Sequence, residues 1–180
     1  MKRFLIALAV LLSIQVADAQ VKSPAAAKKS LEAAKEAAEN PKKNTKVATW
    51  TKLASAYMDA YNAPYGNYLV NTPKMQLMQM MIYKPSENVE AVTIMGAPYT
   101  KDVLDNKVLY FDASETLRFI EITQPVVEDP LAGALAAYVK AAEVDVKGSK
   151  TNDILTGMKI AAARYFEEGM TKYNLNDVAA

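Results

Sequence analysis

The sequence contains no cysteine and no histidine among its 180 residues. A disulfide framework, a thiol nucleophile, an imidazole base and the usual zinc and copper sites are therefore excluded. The formal net charge is +1, so no strong field would attract nucleic acid or an acidic surface. Of the common catalytic groups, the chain retains only carboxylates, lysines, tyrosines and hydroxyls.

The carboxylates that stand near one another are close neighbours in the sequence. Acid/base catalysis needs two carboxylates that converge on a bond from separate elements, whereas neighbours on one helix or loop point apart. No G-x-S-x-G motif, glycine-rich phosphate loop or EF-hand spacing accompanies them. We therefore predict a protein that is not an enzyme, with no catalytic, cofactor-binding or metal-binding residues and no cofactor. The pairs are Asp102 with Asp105, Glu128 with Asp129, and Glu167 with Glu168.

The first nineteen residues have the layout of a secretory signal peptide. Residues 1–3 are basic, residues 4–16 are apolar, and residues 17–19 form a small-x-small cleavage site. We expect cleavage after Ala19 and a periplasmic or otherwise exported protein that begins at Gln20. An uncleaved anchor is the alternative, although the apolar run is too short to span a bilayer comfortably. No stable membrane span is expected after cleavage.

Two short segments, far apart in the chain, carry complementary helical patterns. The first has an aromatic wedge, a leucine, a small residue and a second aromatic at i, i+3, i+4 and i+7, all on one helical face. The second has small, aromatic and small residues at i, i+4 and i+7. Such faces suit a close pair of helices. The residues are Trp50, Leu53, Ala54 and Tyr57 in the first segment, and Ala134, Tyr138 and Ala141 in the second.

The two patterns resemble the first and second helices of a tetratricopeptide repeat. The chain is similar to signal-peptide-bearing repeat proteins of Gram-negative envelopes, with an insertion inside the first repeat. The resemblance implies a mainly α fold of antiparallel helix pairs, with a small inserted antiparallel β-sheet or hairpin. It also implies a non-enzymatic scaffold whose helical groove holds a protein or peptide. By this analogy the groove positions of the first helix are Thr51, Ser55, Met58 and Asp59.

Under this interpretation the chain divides into a signal peptide and five further segments. Ser23-Pro24 and Asp129-Pro130 are cap-plus-proline helix starts, and Asn44 or Thr45 is the expected cap of the Trp50 helix. We expect residues 178–180 to open another helix, as in the N-terminal portion of a longer repeat protein. The segments are the signal peptide (1–19), an N-terminal helix (20–41), the first repeat helix (42–64), the insertion (65–129), the second repeat helix (130–148) and the start of a truncated next repeat (149–180).

The insertion combines a methionine-rich helix with strands. Its four clustered methionines suit a flexible contact surface or a soft metal site, but core packing is the interpretation we prefer. Strands are predicted over 89–95, 108–111 and 117–123, with turns at 96–98 and 112–115, which indicates a sheet of about three strands. The methionines are Met75, Met78, Met80 and Met81.

The ten tyrosines raise an alternative function, a glycan- or ligand-binding envelope protein that uses the β insertion. Solvent-facing tyrosines on the sheet would favour that alternative. Tyrosines buried between helices would favour the scaffold, because they pack there with the hydroxyl at the surface.

Overall fold

The computed structural model describes residues 21–175 and 178–179. The predicted signal peptide and its cleavage after Ala19 lie outside these residues. In the part of the chain that is described, no helix has both the length and the apolar character needed to cross a membrane.

Two of the four long helices begin at side-chain caps followed by proline. Ser23 accepts a hydrogen bond from the amide of Ala26, and Asp129 accepts one from the amide of Ala132 at 3.1 Å. Both starts confirm the cap-plus-proline predictions. The helices are α1 (Pro24–Glu39), α2 (Val47–Asn62), α4 (Pro130–Val144) and α5 (Thr151–Leu175), with the short α3 (Lys74–Gln79) between α2 and α4.

The start of α2 differs from the prediction. Its N-cap is Lys46, with no side-chain hydrogen bond, so the expectation of Asn44 or Thr45 is wrong. Asn44 contributes through its backbone instead, because its carbonyl accepts a 2.6 Å hydrogen bond from the Trp50 indole N–H. The indole thereby ties the α1–α2 turn to the first turn of α2.

The four long helices pack side by side as a helical unit, defined here as α1, α2, α4 and the first half of α5. The side chains of Tyr57 and Ser55 meet Gly133 and Tyr138 respectively, so α2 and α4 run antiparallel. Seven of the eleven buried residues in this core are alanine, which lets the helix backbones approach closely. They are Ala34, Ala38, Ala54, Ala56, Ala60, Ala137 and Ala141.

The middle of the chain forms an antiparallel sheet in the strand order β4-β3-β2-β1-β5. Met95 and Gly96 connect β1 to β2 with positive φ angles of 50° and 76°, as a two-residue type I′ turn requires. The predicted turn over 96–98 is therefore displaced, since Ala97 and Pro98 already pair within β2. The strands are β1 (Val89–Ile94), β2 (Ala97–Val103), β3 (Lys107–Asp112), β4 (Leu117–Ile122) and β5 (Val178–Ala179).

Each face of the sheet has its own apolar cluster. Leu109, Phe111 and Leu117 lie on one face under α3, where Leu77 of the helix joins them. Ile94, Val108 and Tyr110 form the cluster on the other face, where Leu175 at the end of α5 packs against them. We call α3 together with the five strands the sheet unit. Most of the buried residues in its two clusters come from its own elements, and Leu175 of α5 adds to one of them.

The expected fold class is therefore wrong. The chain folds as a sheet-containing α+β protein, not as mainly α repeat pairs with a small insertion. The physical reason is that the sheet has four full strands and two packed faces. Val178–Ala179 also contradicts the sequence prediction, because these residues pair with Thr93 and Ile94 as a strand instead of opening a helix.

Candidate functional site

The methionine cluster faces solvent. Met75, Met78, Met80 and Met81 are 61%, 41%, 55% and 91% exposed, so the preferred interpretation of core packing is wrong. The two other interpretations, a contact surface and a soft metal site, do not require burial. We call these four side chains the methionine surface.

One leucine and a set of backbone bonds decide which way α3 faces. Leu77 is 1% exposed and packs into the cluster under the helix. The amide of Lys74 donates to the Glu115 carbonyl at 2.8 Å, and Pro73 forms a bridge with Thr116. Because these contacts attach the inner side of α3 to the β3–β4 hairpin, the methionines are left on the outer side.

The chain turns back on itself directly after α3. The amide of Met81 donates to the Met78 carbonyl at 3.0 Å, and the amide of Met80 donates to the Gln76 carbonyl at 3.0 Å. Met81 adopts a left-handed backbone with φ of 56°. These bonds keep the end of the methionine surface wound close to the helix.

The residues of the two repeat-like patterns lie at helix contacts. Ala54, Ala134 and Ala141 are fully buried, and Leu53 is nearly so. A side chain on Gly133 would overlap the Tyr57 ring, and one on Gly157 would overlap Tyr138, so each tyrosine fills a notch in the next helix. Trp50 packs at the edge of the same core. The glycine notches were missed from the sequence, where Gly133 and Gly157 carry no special signal.

The four predicted groove residues occupy one side of α2, and three of them already have partners. Asp59 forms a 2.7 Å ion pair with Lys22, and the Thr51 hydroxyl donates to a carbonyl of its own helix at 3.3 Å. Ser55 is exposed and hydrogen-bonds with the Tyr138 hydroxyl, whereas Met58 is half-buried.

Most tyrosines are not available for stacking against a ligand. Tyr61 and Tyr138 are buried in the helical unit, and on the sheet Tyr110 is buried and Tyr99 half-buried. Within the described residues, the tyrosines with more than a third of their surface exposed both lie on α5, namely Tyr165 and Tyr173.

A pocket of about 470 Å³ opens beside the β2–β3 turn. Tyr68 and Lys107 form part of its wall, together with the loop before β1. Lys107 is only 7% exposed, and burial lowers the pKa of its ammonium group. That ammonium donates to the Tyr65 carbonyl at 3.3 Å and lies 4.8 Å from the centroid of the Tyr68 ring. The remaining lining residues are Ile82, Lys84, Ser86, Asn88, Val103, Leu104, Asp105 and Asn106.

A fully buried carboxylate lies next to this pocket. Asp102 accepts hydrogen bonds from the Tyr83 hydroxyl and from both the hydroxyl and the amide of Ser86. Burial and the bond to Asp102 raise the pKa of Tyr83, so it remains a donor. These bonds attach the loop before β1 to β2. Asp102 was considered in the sequence only as a possible catalytic partner of Asp105, and the structure gives it this structural role.

The described residues offer no cluster of three or more His, Cys, Asp or Glu side chains that could hold a metal ion. Comparison with known proteins found no matching family model, no matching curated protein and no matching solved structure.

Proposed function

We propose that the chain is a non-enzymatic, exported scaffold that binds a protein or peptide partner. The observation that carries the proposal is the exposure of the methionine surface. Exposed apolar side chains in one place mark interaction sites, and methionine is over-used at surfaces that adapt to their partners because its side chain is flexible and polarizable. Leu69 and Val70, which precede α3 in the chain, are also exposed, at 70% and 44%.

The positions of the tyrosines support the same proposal. Tyr57, Tyr61 and Tyr138 pack between helices, and the sheet presents no strongly exposed tyrosine in the described residues. Tyrosines buried between helices were expected for a scaffold, and solvent-facing tyrosines on the sheet for a protein that stacks sugars. The observed distribution therefore favours a scaffold.

The proposal keeps the predicted groove on α2 as a second contact region. Ser55 and Met58 retain exposed surface there, and the Asp59–Lys22 ion pair is solvent-accessible on both sides. The resemblance to tetratricopeptide repeats is limited to two sequence patterns. The proposal does not assume that the chain has the repeat fold.

Capture of a partner from envelope extract by immobilised residues 20–180 tests the proposal. We expect the double variant Met78→Lys, Met81→Lys to lose the captured protein, because two charges interrupt the apolar surface. The matched control is Val146→Lys, since Val146 is 91% exposed and lies directly after α4, outside the methionine surface. Capture that survives both this double variant and a triple change of Ser55, Met58 and Asp59 would contradict both proposed contact surfaces. If the parent captures no protein, the scaffold proposal itself is contradicted.

One observation favours the alternative of a ligand-binding envelope protein. The buried ammonium of Lys107 has one carbonyl acceptor at 3.3 Å within the described chain and lines an open pocket, so it retains capacity to bind an acceptor on a small molecule. A thermal-shift screen of small anions and sugars against the parent and Lys107→Met tests this alternative. A ligand that stabilises the parent and not the variant would support it.

A further inference from the structure

We propose that α3 and the turn after it bind one soft monovalent metal ion, Cu(I), through the thioether sulfurs of Met75, Met78 and Met81. The proposal does not depend on the scaffold function, and it departs from the sequence-based prediction of no metal-binding residues. It starts from the finding that these side chains have no role in the core, since they are 61%, 41% and 91% exposed.

The three exposed methionines lie within one short segment, residues 75–81, which comprises most of α3 and the turn after it. Met75 and Met78 are three residues apart on α3, where such pairs have Cβ atoms about 5–6 Å apart. Met81 follows after another three residues, in the turn beyond the helix, where its amide donates a 3.0 Å hydrogen bond to the Met78 carbonyl and so keeps the two residues close together. A methionine side chain has three rotatable bonds, so three sulfurs attached at this spacing can converge on one ion.

Met80 has a different environment from the other three. The side-chain Nε2 of Gln76 donates a long hydrogen bond to its sulfur, at 4.0 Å. Met80 is also out of the three-residue spacing. We therefore assign three thioethers to the site.

The chemistry of the donors selects the ion. Thioethers are neutral, soft ligands that suit Cu(I), whereas carboxylates and carbonyls suit magnesium, calcium and manganese. The chain has no cysteine and no histidine that would compete for a soft ion. Any Cu(I) that the protein retains tightly must therefore be held largely by methionine, which makes the assignment simple to test.

The charges around the site do not oppose a cation. Lys74 is the basic residue within α3, and its ammonium lies 3.6 Å from the Glu115 carboxylate and 5.4 Å from the centroid of the Phe111 ring. It is therefore directed toward the sheet and partly neutralised. Gln76 and Gln79, the other polar residues of α3, are uncharged.

Competition for Cu(I) against a chromogenic chelator, under reducing conditions, measures the affinity of residues 20–180 directly. We expect the parent to withdraw one Cu(I) per chain and the triple variant Met75→Leu, Met78→Leu, Met81→Leu to bind at least about tenfold more weakly. Leucine preserves the apolar volume and the fold but removes the sulfur. The matched control is Met95→Leu, Met158→Leu, Met170→Leu, which removes three sulfurs elsewhere and should bind as the parent does.

Resonances of the methionine methyl groups supply a second readout. On addition of Ag(I), a redox-stable stand-in for Cu(I), the methyls of Met75, Met78 and Met81 should shift, and those of Met95 and Met170 should not. The proposal is overturned if the parent withdraws no Cu(I), if the first triple variant binds as well as the parent, or if both triple variants lose binding equally. Because Met→Leu keeps the surface apolar, a failure here leaves partner capture unaffected and is distinguishable from failure of the scaffold.

Discussion

The cores of the helical unit and the sheet unit are packed with side chains of opposite size. The helical core is built of alanines, with tyrosines that enter notches at Gly133 and Gly157. The cores of the sheet unit are built of large side chains such as Leu109 and Phe111, which are 0% and 1% exposed. Backbones come close in the first unit, and side chains fill the space in the second.

This difference predicts different sensitivities. Close helices tolerate little added volume, because extra atoms force the backbones apart. A core of large side chains instead suffers when atoms are removed, because a cavity remains. The helical unit should therefore be vulnerable to enlargement, and the sheet unit to truncation.

Helix α5 connects the two units. Its first half packs on α4 through Ile154, Gly157 and Ala161, and its last residue, Leu175, reaches the sheet. The Tyr165 hydroxyl also donates to Asp129, at the cap of α4, at 2.5 Å, and this bond and burial raise the pKa of Tyr165 to about 12. We therefore expect the two units to unfold together.

The largest effect should come from truncation in the sheet unit. Phe111→Ala removes a ring that is 1% exposed and should lower the free energy of unfolding by about 3–5 kcal/mol. Urea denaturation followed by circular dichroism measures it. The control is Phe166→Ala, at a residue 67% exposed on α5, which should change stability by less than about 0.5 kcal/mol. Equal effects of the two changes would contradict the proposed role of the core.

Enlargement should be the sensitive change in the helical unit. Gly157→Ala places a methyl group against Tyr138 and should cost about 1–3 kcal/mol. Gly169→Ala is the matched control on the same helix, where an added Cβ meets nothing within 4 Å and should gain about 0.5–1 kcal/mol. Thermal melts of both variants measure the contrast. If both variants were stabilised, the close approach of α4 and α5 would be refuted.

Ala134→Leu at the α2–α4 contact should likewise lower the free energy of unfolding by about 1–3 kcal/mol, because the added volume forces the two helices apart. A thermal melt that does not differ from that of the parent would contradict the close pairing of α2 and α4.

Alkaline pH should destabilise both units. Burial raises the pKa values of Tyr61 in the helical unit and of Tyr83 and Tyr110 in the sheet unit above the ordinary value of 10.0. Above that pH the unfolded chain releases phenolic protons that the folded chain keeps, so stability falls as pH rises. The lowered pKa of Lys107 acts in the opposite direction, since its burial penalty disappears as the ammonium loses its proton.

Urea midpoints between about pH 9 and about pH 11, with phenolate absorbance recorded in parallel, test this dependence. Tyr110→Phe should flatten the slope because it removes one of the shifted groups while keeping the ring. A midpoint that does not fall across this range would show that the buried phenols ionise as readily in the folded chain as in the unfolded one.

The smallest effect should be local to α1. Ser23→Ala removes the side-chain cap that accepts the Ala26 amide and should cost about 1 kcal/mol, with faster amide exchange in the first turn. Ser23→Asp keeps an acceptor and should restore protection. Loss of protection throughout the helical unit, instead of in the first turn of α1, would mean that the cap stabilises more than its own helix.

Local signals in the sequence were sufficient for several elements. The starts of α1 and α4 follow from Ser23-Pro24 and Asp129-Pro130. The β3–β4 hairpin follows from the loop over 112–115, where Asp112 accepts from the amides of Ser114 and Thr116 at 2.9 and 3.0 Å. The packing of α2 against α4 agrees with the aromatic and small residues at helical spacing.

Strand β2 was missed because its residues do not read as a strand. Its sequence, Ala97–Val103, contains a proline, a lysine and an aspartate, and its alternation is weak. Asp102 is tolerated in the interior because Tyr83 and Ser86, from a distant loop, donate hydrogen bonds to it. No local pattern contains that information, since the partners are 16 and 19 residues away.

The sequence by itself determined the caps of α1 and α4, the hairpin loop, the helix-pair faces and the exclusion of thiol and imidazole chemistry, because these depend on residues within one or two helical turns or on composition alone. The tertiary structure decided that the sheet is a full partner of the helices, that Val178–Ala179 pairs with β1, and that four methionines face solvent. Leu77 packs against the sheet cluster and the methionines of α3 do not, because the side of a short apolar helix that is buried depends on the surface it meets.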